Sequence, residues 1–349
     1  MVNKLSGVCN LPQSFGRMLE ERADLRREAR KLQKDLQRRW GSEKEKHRLY
    51  EALWLRERCA EEGISHLHTH FVGIGARTAY WLHQIGGPTF SVTAHANDIF
   101  RDEPEERLLQ ILLDAAVVVT VSDFSKSHLE SLDAQLVGKV QRVYNGISLE
   151  DFSSASSPQA GEPTLISVGR LIPKKGFSDL IRACALLKDK SFRCQIVGDG
   201  PMQAELQSLI ESEGLEGKVT LLGSLDQARI RTLLSEAQVF ALPCVTASDG
   251  AIDNLPTVIM EAMAASLPVI STRLAGIPEM IVDGVTGKLV AEGQPHELAS
   301  ALRVLLEDSG QSAQMGKAGH QRCEELFDIT KTSSQLLECL RNEVQIKPE

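Results

Sequence analysis

Cations cluster behind a short apolar run in the segment Ile166–Gly176, ISVGRLIPKKG. The run reads as a strand ending at Gly169, with Arg170 on the loop and Lys174, Lys175 and Gly176 just ahead of a helix. Arginine grips two oxygens and lysine acts as a point charge. Beside a free helix N-terminus they make a site for a diphosphate; a solvated basic turn is the plainer alternative. In IVGDGP, Gly198 and Gly200 flank a turn that opens onto a helix. No third glycine follows at the dinucleotide spacing, but bare backbone there lets a base or ribose come close. In the stretch Pro243–Pro268, Asp253 precedes Pro256, which can open a helix, and Glu261 sits within apolar VIMEAMAA. A carboxylate there can accept both hydroxyls of a ribose, and N–H groups at the helix start can hold phosphate or sugar oxygens. The bland reading, a surface ion pair, fits poorly, because a carboxylate amid apolar neighbours is costly unless partnered.

The first half carries His66, His68 and His70, which share one face if the segment is a strand. Without a nearby carboxylate they read as strand-end histidines near a cleft rather than as metal ligands. Asp98 follows His95 at three residues; it orients a ring, meets a ligand or caps a helix.

These residues need elements to position them. Strands are expected at 64–70, 89–93, 117–121 and 141–144, with helices such as 76–85 and 105–114 between them. Residues 153–163, SSASSPQAGEP, read as a linker. The alternation then restarts, with strands at 165–168, 193–197, 219–222, 239–241, 269–271 and 288–290. Helices are expected at 176–187, 202–213, 229–237 and 256–265. Strands alternating with helices indicate parallel α/β sheets. The expected fold class is therefore α/β, two Rossmann-like doubly wound domains facing across a cleft at the carboxyl ends of their strands. The division is 1–155, 156–326, and a helix over 327–349 returning to the first domain. Before the first strand, residues 15–48 are dense in Arg, Lys and Glu, with Met18, Leu25, Ala29, Leu32, Leu36 and Trp40 at helical spacing. This is either a solvated helix packed by one stripe or a helix touching anionic lipid or a lipid-linked molecule.

A chain of 349 residues, 42% hydrophobic and 25% charged, suits two soluble cores. A net charge of -8 argues against general nucleic-acid binding. The seven scattered cysteines, with no CxxC, read as reduced thiols of a cytoplasmic protein. No apolar run is long enough to span a bilayer, so any membrane contact is expected to be peripheral, at the inner face.

Together the runs SVGRLIPKKGF, IVGDGPM, LLGSL, DGAIDNLPTVIMEAMAASLPVISTRLAGIPEMIVDGVTGKLV, HTHF, FSVTAHANDIF, VSDFSKSHL and YNGISLEDF resemble the family 4 retaining glycosyltransferases of GT-B fold. The HTHF and TAHANDIF style is similar to enzymes of exopolysaccharide and surface-glycan synthesis. The resemblance implies transfer of a sugar from a nucleotide-diphosphate donor, with UDP or GDP, to a glycan, lipid-linked or small-molecule acceptor. It implies retention of configuration and neither metal nor cofactor, the nucleotide sugar being a substrate. Arg170 and Lys175 match the diphosphate pair, Glu261 the ribose glutamate, and Asp253 the first acid of the E-x7-E motif, beside the sugar. His95 matches the histidine near the transferred sugar. Gly169, Gly198, Gly200, Leu222, Asn254, Leu255, Pro256 and Thr257 complete the donor side, and His70 and Asp98 lie on the acceptor side, with Gly73 and Gly75 shaping its loop. Asn145 and Gly146 match the turn that ends the first domain.

Three departures stand out. Asp253 is one methylene shorter than glutamate, Asn254 and Ser266 stand where the family has glycine, and no strand with a Gly-rich loop precedes the charged helix. The first sheet is then short, or the chain is truncated. Asp253 and the missing loop leave as an alternative a catalytically weak nucleotide-binding subunit of a glycan assembly complex; within the same fold, a GT-B nucleotide-sugar epimerase or a glycogen-type phosphorylase would share the cleft.

Overall fold

A computed structural model describes residues 46–152 and 161–344, together with Arg27, Glu28, Arg30, Lys31, Leu32, Lys34 and Trp40. The expected linker falls mostly outside the described residues, as does most of the charged segment. Trp40 is buried; its ring stacks on Tyr80 and meets Trp81 edge-on, both at 5.1 Å, and its Nε1 donates to Gln110 at 2.7 Å.

The first unit runs α1 (Lys46–Glu62), β1 (His66–His70), α2 (Ile74–Gln84), β2 (Thr89–Ala94), α3 (Glu105–Asp114), β3 (Val117–Thr120), α4 (Asp123–Leu132) and β4 (Val140–Arg142). β3 is Val-Val-Val-Thr and buried throughout, as a strand covered on both faces demands. α3 opens with Glu105 and Glu106, which suit the positive end of a helix, and buries Leu108, Ile111 and Leu112. α4 starts at Ser122, whose hydroxyl accepts from Ser125 N. The four strands are parallel, in the order β1-β2-β3-β4. Among the described residues this order runs one way without reversal.

The second unit holds β5 (Thr164–Val168), α5 (Phe177–Ala185), β6 (Arg193–Val197), α6 (Gln203–Ser212), β7 (Val219–Gly223), α7 (Gln227–Glu236) and β8 (Val239–Leu242). It continues with α8 (Thr257–Ala264), β9 (Val269–Thr272), the short α9 (Ile277–Met280), β10 (Gly287–Val290), α10 (Pro295–Glu307) and α11 (Ser309–Leu326). Its parallel sheet has the order β10-β9-β8-β5-β6-β7. The order reverses beside β5, so loops leaving β5 and β8 diverge and open a crevice at their carboxyl ends.

The last helix, α12 (Ile329–Val344), lies on the first unit. Leu336 and Cys339 pack on Val117, Val119 and Val143. The two chain crossings touch at Gly146, where a Cβ would stand 2.2 Å from Thr332 Oγ1. Ile147 N donates to Phe327 O, and Ile329 N to Ile147 O, at 2.8 and 3.0 Å.

Candidate functional site

Gly169, Arg170, Lys175, Gly198, Gly200 and Asp253 lie on the loops that follow β5, β6 and β8, around the reversal point of the second sheet. Behind β5, Gly169 leads to Arg170, which is exposed and makes no ion pair among the described residues. The chain then makes a tight turn over Pro173–Lys175 and enters α5 through Gly176, at φ 69°. A Cβ on Gly176 would stand 1.8 Å from Pro243 O, so only glycine lets this loop lie against the end of β8. Gly198, at φ 141°, is similarly confined: its Cβ would meet Gly169 O at 1.9 Å. Gly200 packs against the backbone of Leu171. The glycines thus hold the β5, β6 and β8 loops together.

That contact delivers the lysines to Asp253. Lys174 Nζ lies 2.9 Å from Asp253 Oδ1 and Lys175 Nζ 2.6 Å from Oδ2. Burial pushes the Asp253 carboxyl up, but Lys175 and Lys174 outweigh it and hold it below the ordinary aspartate range. The family resemblance put Lys175 on the diphosphate and Asp253 beside the sugar; in the structure the two hold each other.

Glu261 lies just past the first turn of α8, half-buried, and accepts from Gln227 Nε2 at 3.2 Å. Burial raises its pKa, against smaller opposite effects of Gln227 and Arg231. Pro256 caps α8 and Thr257, its first residue, is exposed. Leu255 is buried and Leu222 is half-buried on β7.

Asn254 faces elsewhere. It is 4% exposed, its Oδ1 accepts from Ser122 Oγ at 2.9 Å and from Gly276 N at 3.1 Å, and its Nδ2 donates to Ser125 Oγ at 2.8 Å. It ties the start of α4, in the first unit, to the second. Beside it, Glu279 accepts from Asp123 N and Phe124 N, both at 2.8 Å, and from Tyr144 OH at 3.1 Å. Sequence reasoning singled out neither Glu279 nor this clasp; the signal present was Ser122-Asp123, a helix-start pair with one cap too few.

On the first unit, β1 and β2 end side by side, which brings His70 and His95 together: their Nε2 atoms lie 2.7 Å apart. One nitrogen donates and the other accepts, so the accepting ring is neutral. Burial pushes His95 down to about 4, and His70 adds to that shift. Asp98 acts on backbone: its Oδ2 accepts from His95 N and Val72 N, both at 3.0 Å, fixing the ends of β2 and β1. It is buried, and Oδ2 of its carboxylate is taken by those two N–H groups. Phe71 holds a left-handed φ of 75° and lays its ring 4.6 Å from that of His95. His66 and His68 lie further down the strand, their ring nitrogens engaged by the hydroxyls of Thr89, Ser91 and Thr93. The His95 loop reaches the Asp253 loop through Arg101 and Asp249, 3.2 Å apart.

The described cysteines are free thiols. Among the described residues, no cluster of three or more His, Cys, Asp or Glu could hold a metal ion, and no helix is long and apolar enough to cross a membrane.

Comparison with known proteins agrees with this architecture. A glycosyltransferase from Rickettsia africae superposes with a TM-score of 0.74 at 19% identity, over 86% of this chain and 82% of that one. The Anabaena protein HepE, solved in complex with UDP, superposes with a TM-score of 0.71 at 22% identity, over 83% and 82%. These likenesses establish the GT-B fold. Among curated proteins, the amylovoran biosynthesis glycosyltransferase AmsK of Erwinia amylovora is 36% identical over 205 residues, 58% of this chain and 50% of that protein. The colanic acid biosynthesis glycosyltransferase WcaL of Escherichia coli, itself a putative assignment, is 35% identical over 238 residues, 66% and 58%. The matched segments thus span only about half the length of these relatives. The family model for glycosyltransferase family 4 matches residues 11–151, and that for group 1 glycosyl transferases matches residues 150–322. The two abut at the junction between the sheets, and the chain belongs to the group 1, family 4 glycosyltransferases.

Proposed function

We propose that this chain is a retaining glycosyltransferase that moves a sugar from a UDP- or GDP-linked donor to a glycan or lipid-linked acceptor. The observation that carries the reading is Arg170, an exposed guanidinium without an ion pair among the described residues, on the same loop as Lys175 behind β5, at the reversal point of the second sheet. A diphosphate is the dianionic group that suits this pair and the open loop ends. Glu261, half-buried and held by one amide donor, has lone pairs left for ribose hydroxyls.

The chemistry follows from where charge develops. As the bond to the sugar breaks, negative charge grows on the departing diphosphate. Arg170 and Lys175 would stabilise that charge more than the ground state, each donor being worth roughly 3 kcal/mol. No side chain in the site is placed as a covalent nucleophile in this reading; the acceptor attacks from the departing side and the phosphate oxygen takes its proton. His95, neutral at physiological pH, supports the sugar through hydrogen bonds. The acceptor enters beside His70 and His95, where Asp98 fixes the loop backbone.

A thermal-shift screen with UDP, GDP, ADP and their sugars, on wild type and Glu261→Ala, tests the donor site. One nucleotide should raise Tm by mass action, and the variant should lose that rise. No rise with any nucleotide would end the transferase reading. A rise without hydrolysis or transfer of the matching sugar would point to a nucleotide-binding subunit.

A further inference from the structure

Asp253 is held by two lysines, and the two are tied differently. Lys174 Nζ takes Oδ1 at 2.9 Å and also donates to Ile252 O at 3.3 Å, while its own carbonyl accepts from Val245 N at 3.0 Å. It is therefore stitched at both ends to the segment that carries Asp253. Lys175 Nζ takes Oδ2 at 2.6 Å, and that is its one side-chain partner among the described residues. The three side chains are only 13% to 16% exposed. The other titratable group facing the carboxylate is Cys244, whose Sγ lies 3.7 Å from Oδ2; burial keeps that thiol protonated.

This arrangement answers a problem set by the donor. A diphosphate that draws Lys175 away would strand a largely buried carboxylate, and an unpaired buried charge is costly. With Lys175 alone, that cost would fall on donor binding, or Asp253 would take up a proton. We propose that Lys174 is a positioning residue: it keeps the Asp253 carboxylate ionised and fixed through Oδ1, freeing Lys175 for the diphosphate and Oδ2 for a sugar hydroxyl. The inference rests on the donor reading above. It also gives the short aspartate a use, since an anchored oxygen leaves the other at a defined place.

The test compares wild type, Lys174→Met, Lys174→Arg and Lys175→Ala, with UDP and GDP as probes. Nucleotide affinity is measured by calorimetry, and the Asp253 carboxyl is followed by ¹³C NMR across pH, free and nucleotide-saturated. Wild type should keep Asp253 ionised in both states. Lys174→Met should bind nucleotide within about threefold of wild type, yet in the saturated state its Asp253 should titrate about one pH unit or more higher. Without nucleotide the shift should be smaller, because Lys175 is still in place. Hydrolysis of the donor that binds should fall about tenfold in kcat with its acid limb moved up in pH, and Lys174→Arg should restore both.

An unshifted Asp253 in saturated Lys174→Met would overturn the inference. So would a loss of affinity equal to that of Lys175→Ala, which would make Lys174 a phosphate ligand. If Lys175→Ala and Arg170→Ala both bind nucleotide like wild type, the donor reading fails first and takes this inference with it. Should Lys174→Met not fold, Lys174→Gln carries the same comparison.

Discussion

Glu261 shows how a single residue can be tuned against its own stability. Its carboxyl is raised by burial, so the folded state favours the protonated form. The sign follows: ionised Glu261 costs stability above its folded pKa, and the cost fades as pH falls from there to the ordinary value of 4.5, below which it is gone. Glu261→Gln keeps an oxygen for Gln227. It should therefore melt higher than wild type at pH 7 without nucleotide, converge with it near pH 4, and lose the rise produced by nucleotide. Scanning calorimetry at both pH values checks this; a lower Tm at pH 7 would count against it. Such a gain on removing a charge is the mark of a group kept for binding rather than for the fold. Residue types were legible here: the acid does lie in an apolar helix and the cations do sit just ahead of another. Residue partners were not. Lys174 and Lys175 meet Asp253 only because two loops cross, and no local pattern encodes that crossing. Asn254 read as a donor-side residue by position, but its amide is spent on Ser122, Ser125 and Gly276, from both halves of the chain.

Elements were read more easily, for a physical reason. Each strand is a short apolar run between turn residues, and each helix carries one apolar face, so period and punctuation suffice. α3 and β6 fall where the residues place them, and most other boundaries shift by one or two positions. What the pattern leaves out is why particular turns cannot vary. Gly176 is the clearest case, with its left-handed φ and the carbonyl of Pro243 where a side chain would begin. Gly176→Ala should cost at least ~2 kcal/mol, since both strain and collision apply. It should also weaken nucleotide binding, because Lys174 and Lys175 ride on the same turn. Urea unfolding and calorimetry on one preparation separate the two effects. A variant as stable as wild type would mean that the loops part freely.

At the scale of the whole molecule, the two units are joined on one side by the start of α4. Glu279 supplies acceptors to two of its orphan N–H groups, and Asn254 bonds both serines beside them. Bonds to a carboxylate at a helix N-terminus are the stronger kind. Glu279→Ala should therefore loosen the joint, at about 1–3 kcal/mol. Hydrogen exchange should quicken at Asp123 and Phe124, and small-angle scattering should show a broader range of shapes. Unchanged exchange at those amides would show that the clasp is not what holds the units.

The return of α12 to the first sheet sets an order on how the chain can be made. Val117, Val119 and Val143 have Leu336 and Cys339 as cover, roughly two hundred residues further on. On a ribosome adding roughly 5–20 residues each second, that valine face is synthesised early and sealed late. For some seconds the nascent first half presents an unsealed hydrophobic surface, while the second half, whose sheet draws only on its own strands, can fold in one continuous stretch. A chaperone that binds during this interval would have its target in the half that was made first.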